Sequence, residues 1–68
     1  MPLNVEVEQE EDGRWLAEVI AVPGALAYGA TRDEAVARAE AVALRAMADR
    51  LEGGEPDPVS GAVFAVSP

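Results

Sequence analysis

The acidic side chains offer this chain its richest chemistry, and they concentrate near the N-terminus. Thirteen Asp and Glu stand against five Lys and Arg in 68 residues, which gives a net charge of −8. The densest group is Glu10-Glu11-Asp12. Clustered carboxylates could bind a divalent cation, but a calcium loop needs ligands at regular offsets and a closing bidentate acid, and this segment lacks that pattern. We therefore expect no metal site and no cofactor.

The side chains that usually activate nucleophiles are missing from the sequence. The chain has no His, no Cys and no Lys, so thiolate or imidazole zinc sites and histidine general-base chemistry are unavailable. Ser60 and Ser67 consequently have no base to activate them. Gly24 and Gly29 do not follow the G-x-G-x-x-G spacing of a phosphate-binding loop. We expect the protein not to be an enzyme.

The position of the charges favours a protein partner over a nucleic acid. The early acids are Glu6, Glu8, Glu10, Glu11, Asp12 and Glu18. Such a surface repels phosphate, so we expect no direct nucleic-acid binding. It suits a basic protein, although acids on the wet side of a strand can also serve solubility alone.

The length and hydropathy of the chain indicate its location and its oligomeric state. The sequence has no apolar run of membrane-spanning length, and its N-terminus is acidic, unlike a signal peptide. We expect no membrane association and a cytoplasmic location. A domain of this size buries only about 60% of its unfolded-chain surface, so we expect a homo-oligomer, a dimer or larger.

Alternation and turn residues predict three strands. Apolar residues alternate with polar ones from Leu3 to Glu8, and Asp12-Gly13 predicts a hairpin turn after them. A second alternating run from Trp15 to Ile20 follows, in which Trp15 is expected in the core. Pro23-Gly24 predicts another turn, and Leu26 to Tyr28 predicts a short third strand.

Capping residues predict one helix after the strands. Thr31 followed by Glu34 is a capping-box pattern, and the helix is expected from about Arg32 to Glu52, ended by a left-handed cap at Gly53-Gly54. Its apolar stripe comprises Val36, Ala39, Ala43, Met47 and Leu51, with Ala35 and Ala46 beside it. The opposite face carries the i,i+4 pairs Glu34–Arg38 and Arg45–Asp49.

A last strand is expected over Val59–Val66, after a connector rich in proline, with Phe64 buried either in the monomer or between subunits. The order β-β-β-α-β predicts the α+β class, a single domain over 1–68 with one antiparallel sheet and one helix packed across it.

These motifs together resemble the HicB-like antitoxin domain. Members show an acidic strand, an E-D-G-aromatic turn, P-G-C, a short strand ending in G-x-T and a helix opening D/E-E-A. The matching segments here are Glu11-Asp12-Gly13-Arg14-Trp15, Pro23-Gly24-Ala25, Gly29-Ala30-Thr31 and Asp33-Glu34-Ala35. The resemblance covers roughly 5–58, and Ala25 replaces the usual Cys or similar small residue. It implies a partial RNase H-like fold.

The resemblance also implies a function. A HicB-like antitoxin binds a small, basic, RNA-cleaving HicA-type toxin and blocks its active site. Full antitoxins usually carry a C-terminal DNA-binding segment, and we expect none here because the chain ends at Ser67-Pro68. The alternative is a solitary HicB-like structural or ligand-binding oligomer without a toxin. The candidate partner-binding residues are Glu8, Glu10, Glu11, Asp12, Leu16, Ile20 and Tyr28.

Overall fold

A three-stranded antiparallel sheet carries one helix across one of its faces. The computed structural model describes residues 3–55 together with Val59, Gly61, Phe64 and Ser67. The elements are β1 (Val5–Gln9), β2 (Trp15–Val19), β3 (Leu26–Gly29) and α1 (Arg32–Glu52), with the strands in the order β1-β2-β3. The α+β class, the three strands and the helix are therefore confirmed.

The last strand predicted over Val59–Val66 lies mostly outside the described residues. Of that segment the structure describes Val59, Gly61 and Phe64, and none of these three is in a strand. Val59 is buried in the core, whereas Phe64 is 60% exposed. The expectation that Phe64 is buried is thus wrong within a single chain, because its ring lies off the helix–sheet core. Its burial between subunits stays a prediction.

Both predicted turns form, and each uses a glycine with positive φ. In the first, the Gly13 N–H donates to the Glu10 carbonyl at 3.0 Å, and Gly13 has φ +90°. In the second, the Ala25 N–H donates to the Val22 carbonyl at 3.0 Å, and Gly24 has φ +82°. L-residues with a Cβ rarely adopt this backbone conformation, so the glycines permit the chain reversals.

The N-terminus of α1 is capped as the sequence predicts. The Thr31 hydroxyl accepts a hydrogen bond from the Glu34 N–H at 3.1 Å, which satisfies one of the free donors of the first turn. The Glu34 carboxylate forms the predicted ion pair with Arg38 at 2.7 Å. The second predicted pair is wrong: within the described part of the chain, Arg45 and Asp49 do not come within ion-pair distance.

A left-handed glycine ends α1, but it is the second of the two. Gly53 remains right-handed, and Gly54 has φ +76°. The Gly54 N–H donates to the Leu51 carbonyl at 3.2 Å and the Glu55 N–H to the Arg50 carbonyl at 2.9 Å. This pair of bonds is a Schellman motif, which satisfies carbonyls that the helix itself leaves free.

Small side chains make up most of the core between α1 and the sheet. The buried apolar residues are Ala17, Val19, Val22, Ala25, Ala35, Ala39, Ala43, Met47 and Val59. Trp15 is partly buried and packs against this cluster. Leu51, predicted on the buried stripe, is 48% exposed. The reason is length, because a helix of 21 residues spans about 31 Å and a five-residue strand only about 17 Å, so the last turn extends past the sheet.

Candidate functional site

The face of the sheet opposite α1 brings together three of the seven predicted partner-binding residues. In the register of the sheet, Leu16 is opposite Glu8 on one side and Tyr28 on the other. Glu18 is likewise opposite Glu6 and Leu26. Directly opposed residues point to the same side of a sheet. We call these six residues the outer face: Glu6, Glu8, Leu16, Glu18, Leu26 and Tyr28.

The chemistry of the outer face changes from one edge of the sheet to the other. Carboxylates occupy the side nearer β1, where Glu6 lies directly opposite Glu18. Apolar side chains occupy the side nearer β3, where Leu26 is 44% exposed and Tyr28 is 40% exposed. Like charges directly opposite each other repel, and a cation placed between them would relieve that repulsion. The outer face is therefore suited to a ligand that presents a positive surface beside an apolar one.

Arg14 links the first hairpin to the aromatic end of the outer face. Its guanidinium carbon lies 4.5 Å from the centre of the Tyr28 ring, within cation–π range. Its Nε donates to Asp12 Oδ2 at 2.8 Å and its backbone N–H to Asp12 Oδ1 at 3.1 Å. The N–H hydrogen bond is the largest cause that lowers the pKa of Asp12, and the guanidinium acts in the same direction against partial desolvation.

A second arginine holds the backbone of Tyr28 from the helix side. Arg38 donates from Nη1 to the Tyr28 carbonyl at 3.1 Å while Nη2 binds the Glu34 carboxylate at 2.7 Å. The first turn of α1 is thereby tied to the edge of β3. Arg38 thus holds the carbonyl of Tyr28, and Arg14 lies over its ring. Because the side chain is already restrained in the free protein, it would lose less conformational entropy on binding a partner.

The structure divides the seven predicted partner-binding residues into three groups. Glu8, Leu16 and Tyr28 form one row across the outer face. Glu10, Glu11 and Asp12 lie in the hairpin turn next to that row, where Arg14 offsets the charge of Asp12.

Ile20 stands apart from the other six predicted residues. It follows β2 at the opposite end of the sheet, where its N–H donates to the Asn4 carbonyl at 3.2 Å and its side chain is 49% exposed. Leu26 belongs to the outer face but was not among the predicted residues. The sequence could have indicated Leu26, since it lies two residues before Tyr28 in the same strand and alternation places both side chains on one face.

The described residues also bear on metal binding and on membrane insertion. Within that part of the chain, no three acidic side chains are grouped so as to hold a metal ion. Likewise, no helix there has both the length and the apolar character needed to cross a bilayer.

Comparison with known proteins gives no relative: no protein-family model, no curated protein and no solved structure matches this chain. The function of the protein is therefore inferred from the chemistry of the outer face and from the sequence motifs.

Proposed function

We propose that the protein is an antitoxin-type binding module of the HicB-like kind, which neutralises a small, basic, RNA-cleaving HicA-type toxin by protein–protein contact. The observation that carries this proposal is the outer face, where carboxylates lie beside exposed Leu26 and Tyr28. The HicB-like assignment, its partial RNase H-like fold and a cytoplasmic location belong to the proposal. The order and spacing of the turn and cap residues support the HicB-like assignment and its fold.

In this proposal the toxin is inhibited through electrostatic competition with its RNA substrate. A protein that cleaves RNA must present Arg and Lys to hold the phosphate backbone. The carboxylates of Glu6, Glu8 and Glu18 are all exposed on one side of this sheet and would compete with phosphate for those cations. Opposite potentials accelerate encounter and exclude wrong partners more than they add affinity. The acids therefore account for selection of a basic partner.

The apolar half of the outer face supplies the contact area that charge alone does not. Aromatic side chains are over-represented among the residues that dominate interface energetics. Tyr28 is stacked against Arg14 and tied through its carbonyl to Arg38, so its position is set before a partner arrives. Leu16 lies directly opposite Tyr28, and Leu26 lies two residues before Tyr28 on the same face of β3. Tyr28 is consequently the proposed anchor of the complex.

The test of this proposal measures association with a HicA-type protein encoded beside this gene, at several salt concentrations. One variant carries Glu6→Gln, Glu8→Gln and Glu18→Gln. Its control neutralises three exposed acids away from the outer face, with Asp49→Asn, Glu52→Gln and Glu55→Gln. Both variants carry the same net charge. The outer-face variant should associate about tenfold more slowly at low salt, with a flatter salt dependence, and the control should change far less.

Two results would count against this function. Equal slowing in both triple variants would mean that net charge, and not the outer face, governs association. A Tyr28→Ala variant whose inhibition constant for RNA cleavage stays within about threefold of that of the parent chain would remove Tyr28 as the anchor, since loss of such a residue is expected to weaken binding by about 2 kcal/mol. Tyr28 is 40% exposed, so the substitution should leave the fold intact, and circular dichroism checks this.

The second candidate function is a homo-oligomer without a toxin. The apolar residues that remain exposed on a single chain favour it: Ile20, Leu26, Tyr28, Leu44, Leu51 and Phe64. Sedimentation velocity at micromolar concentration tests this candidate. An oligomer that dissociates when Leu26 and Tyr28 are both replaced by Ser, combined with no binding to a basic neighbour protein, would favour the oligomer over the antitoxin. A monomer at all concentrations would reject it.

A further inference from the structure

The edge of β1 that faces away from β2 is lined by backbone groups that have no partner among the described residues. At one end of the strand the Ile20 N–H donates to the Asn4 carbonyl at 3.2 Å, and at the other the Glu10 N–H donates to the Arg14 carbonyl at 2.7 Å. Hydrogen-bonded positions alternate along an antiparallel strand. The even-numbered residues of β1 therefore bond to β2, and Val5 and Val7 direct their N–H and C=O groups outward. Among the described residues, no strand pairs with this edge.

An apolar groove runs beside that edge, between β1 and α1. It has a volume of about 270 Å³ and is lined by Leu3, Val5, Val19, Glu40, Ala43, Leu44 and Met47. Leu44 is 63% exposed although it lies on the wall of the groove. An open strand edge next to an apolar groove is the arrangement that strand-addition sites use, with backbone bonds supplying affinity and the groove supplying selection.

We propose that the β1 edge and this groove form a docking site for an extended protein segment in which apolar and basic residues alternate. Side chains of an added strand point alternately to the two faces of the sheet. The side chain level with Val5 would enter the groove, and the one level with Val7 would lie on the same face of the sheet, so both must be apolar. Those level with Glu6 and Glu8 would lie beside carboxylates and must be basic. The proposal requires no toxin and stands independently of the proposed function.

The charge pattern makes a second copy of β1 the wrong occupant of this edge in the registers that overlap the two strands over most of their length. Antiparallel pairing of β1 with its copy, with Val5 opposite Val7, places Glu6 directly opposite Glu6 of the copy. With Val7 opposite Val7, Glu6 faces Glu8. Like charges directly opposed are destabilising, and Glu6 already faces Glu18 inside the sheet. Positively charged side chains at those positions would remove this repulsion, which is why the occupant is a basic strand.

The other edge of the sheet offers much less to an incoming strand. In β3 the Leu26 N–H already donates to the Gly24 carbonyl at 3.0 Å. The Tyr28 carbonyl accepts from Arg38 at 3.1 Å. Outward-facing backbone groups of β3 are thus partly occupied by the chain itself. Strand addition is therefore assigned to β1.

The test uses a fluorescein-labelled octapeptide of alternating valine and arginine, with binding followed by fluorescence anisotropy at physiological salt. We expect saturable binding. One control has the same composition with the arginines grouped at one end, and another replaces arginine by glutamate. Two further peptides carry N-methyl groups, either on the amides that would face β1 or on the alternate amides. N-methyl groups on the amides that face β1 should weaken binding at least about tenfold, because the hydrogen bonds to β1 are lost. Grouping the arginines should weaken binding by a similar factor, because the apolar and basic side chains no longer alternate.

Matched protein variants locate the site. Leu44→Glu places a charge on the wall of the groove, and Leu51→Glu places the same charge at an exposed position that does not line it. Leu44→Glu should weaken peptide binding about tenfold or more, and Leu51→Glu less than about twofold. Both side chains are largely exposed, so melting temperatures should stay close to that of the parent chain.

Three outcomes would overturn the proposal. The first is equal affinity for the alternating and grouped peptides, which would reduce binding to charge alone. The second is no saturable binding of the alternating peptide. The third is sedimentation data in which the parent chain is an oligomer that Leu44→Glu dissociates and Leu51→Glu does not, which would mean that another copy covers the groove. The toxin assay measures association with a whole protein and depends on Glu18 and Tyr28 as well as on Glu6 and Glu8, whereas these results depend on the peptide pattern and on Leu44, so either proposal can fail without the other.

Discussion

Replacing Gly29 with alanine should destabilise the protein more than its small size suggests. Gly29 ends β3 where α1 begins to cross the sheet, and a Cβ added there would lie 2.5 Å from the Ala35 backbone N and 2.9 Å from the Ala35 Cα. It would also lie 3.0 Å from the backbone carbon of Glu34. Heavy atoms in favourable contact are separated by about 3.5 Å or more. Since backbone atoms cannot rotate away, the first turn of α1 must move by about 1 Å.

The loss of stability can be estimated from the contacts that this helix movement disturbs. Overpacking that side chains can absorb costs about 1–3 kcal/mol. Here the helix itself must shift, which also strains the Thr31 cap, a feature worth about 1 kcal/mol. Alanine restricts the unfolded chain and returns about 0.4–1 kcal/mol. The free energy of unfolding should therefore fall by about 2–3 kcal/mol, which in a domain of this length lowers the melting temperature by about 10–20 °C.

Thermal and urea unfolding followed by circular dichroism measure this effect. The control is Gly61→Ala, because a Cβ added to Gly61 meets no atom within 4 Å. Total stability for a chain of this length is about 3–10 kcal/mol, so the Gly29→Ala substitution should remove a large fraction of it. A melting temperature within a few degrees of the parent chain would refute the close approach of α1 to β3.

Three further predictions concern the cap, the hairpin and nucleic acid. Thr31→Ala should lower the free energy of unfolding by about 1 kcal/mol in urea titrations, while Thr31→Ser should retain most of it. NMR titration should give Asp12 a pKa below its usual value. Because the pKa is lowered on folding, the stabilisation by the Asp12 carboxylate should be present above its unfolded pKa and be lost as pH falls through its folded pKa, a decline that Asp12→Asn should remove. Gel-shift titrations with duplex DNA and with RNA should show no binding tighter than about micromolar at physiological salt, because the net charge is −8.

Local chemistry explains why the sequence alone determined the order of elements. The turns at Gly13 and Gly24 and the cap at Thr31 depend on backbone conformation and hydrogen bonds between residues at most four positions apart. Alternation along each strand likewise assigned Glu8, Leu16 and their neighbours to one face. These features need no knowledge of distant residues, so the three strands, the helix and its start and end were all predictable.

Only the tertiary structure determined which residues of different strands lie next to each other and how closely the helix approaches the sheet. The register that places Tyr28 opposite Leu16 results from the geometry of two turns, and the stacking of Arg14 on Tyr28 follows from that register. The exposure of Leu51 depends on the length of the sheet beneath the helix. Glycine is required at position 29 by a contact with Ala35 and not by its own φ. Each is a distance between atoms set by packing of whole elements, and propensity and periodicity carry no information about such distances.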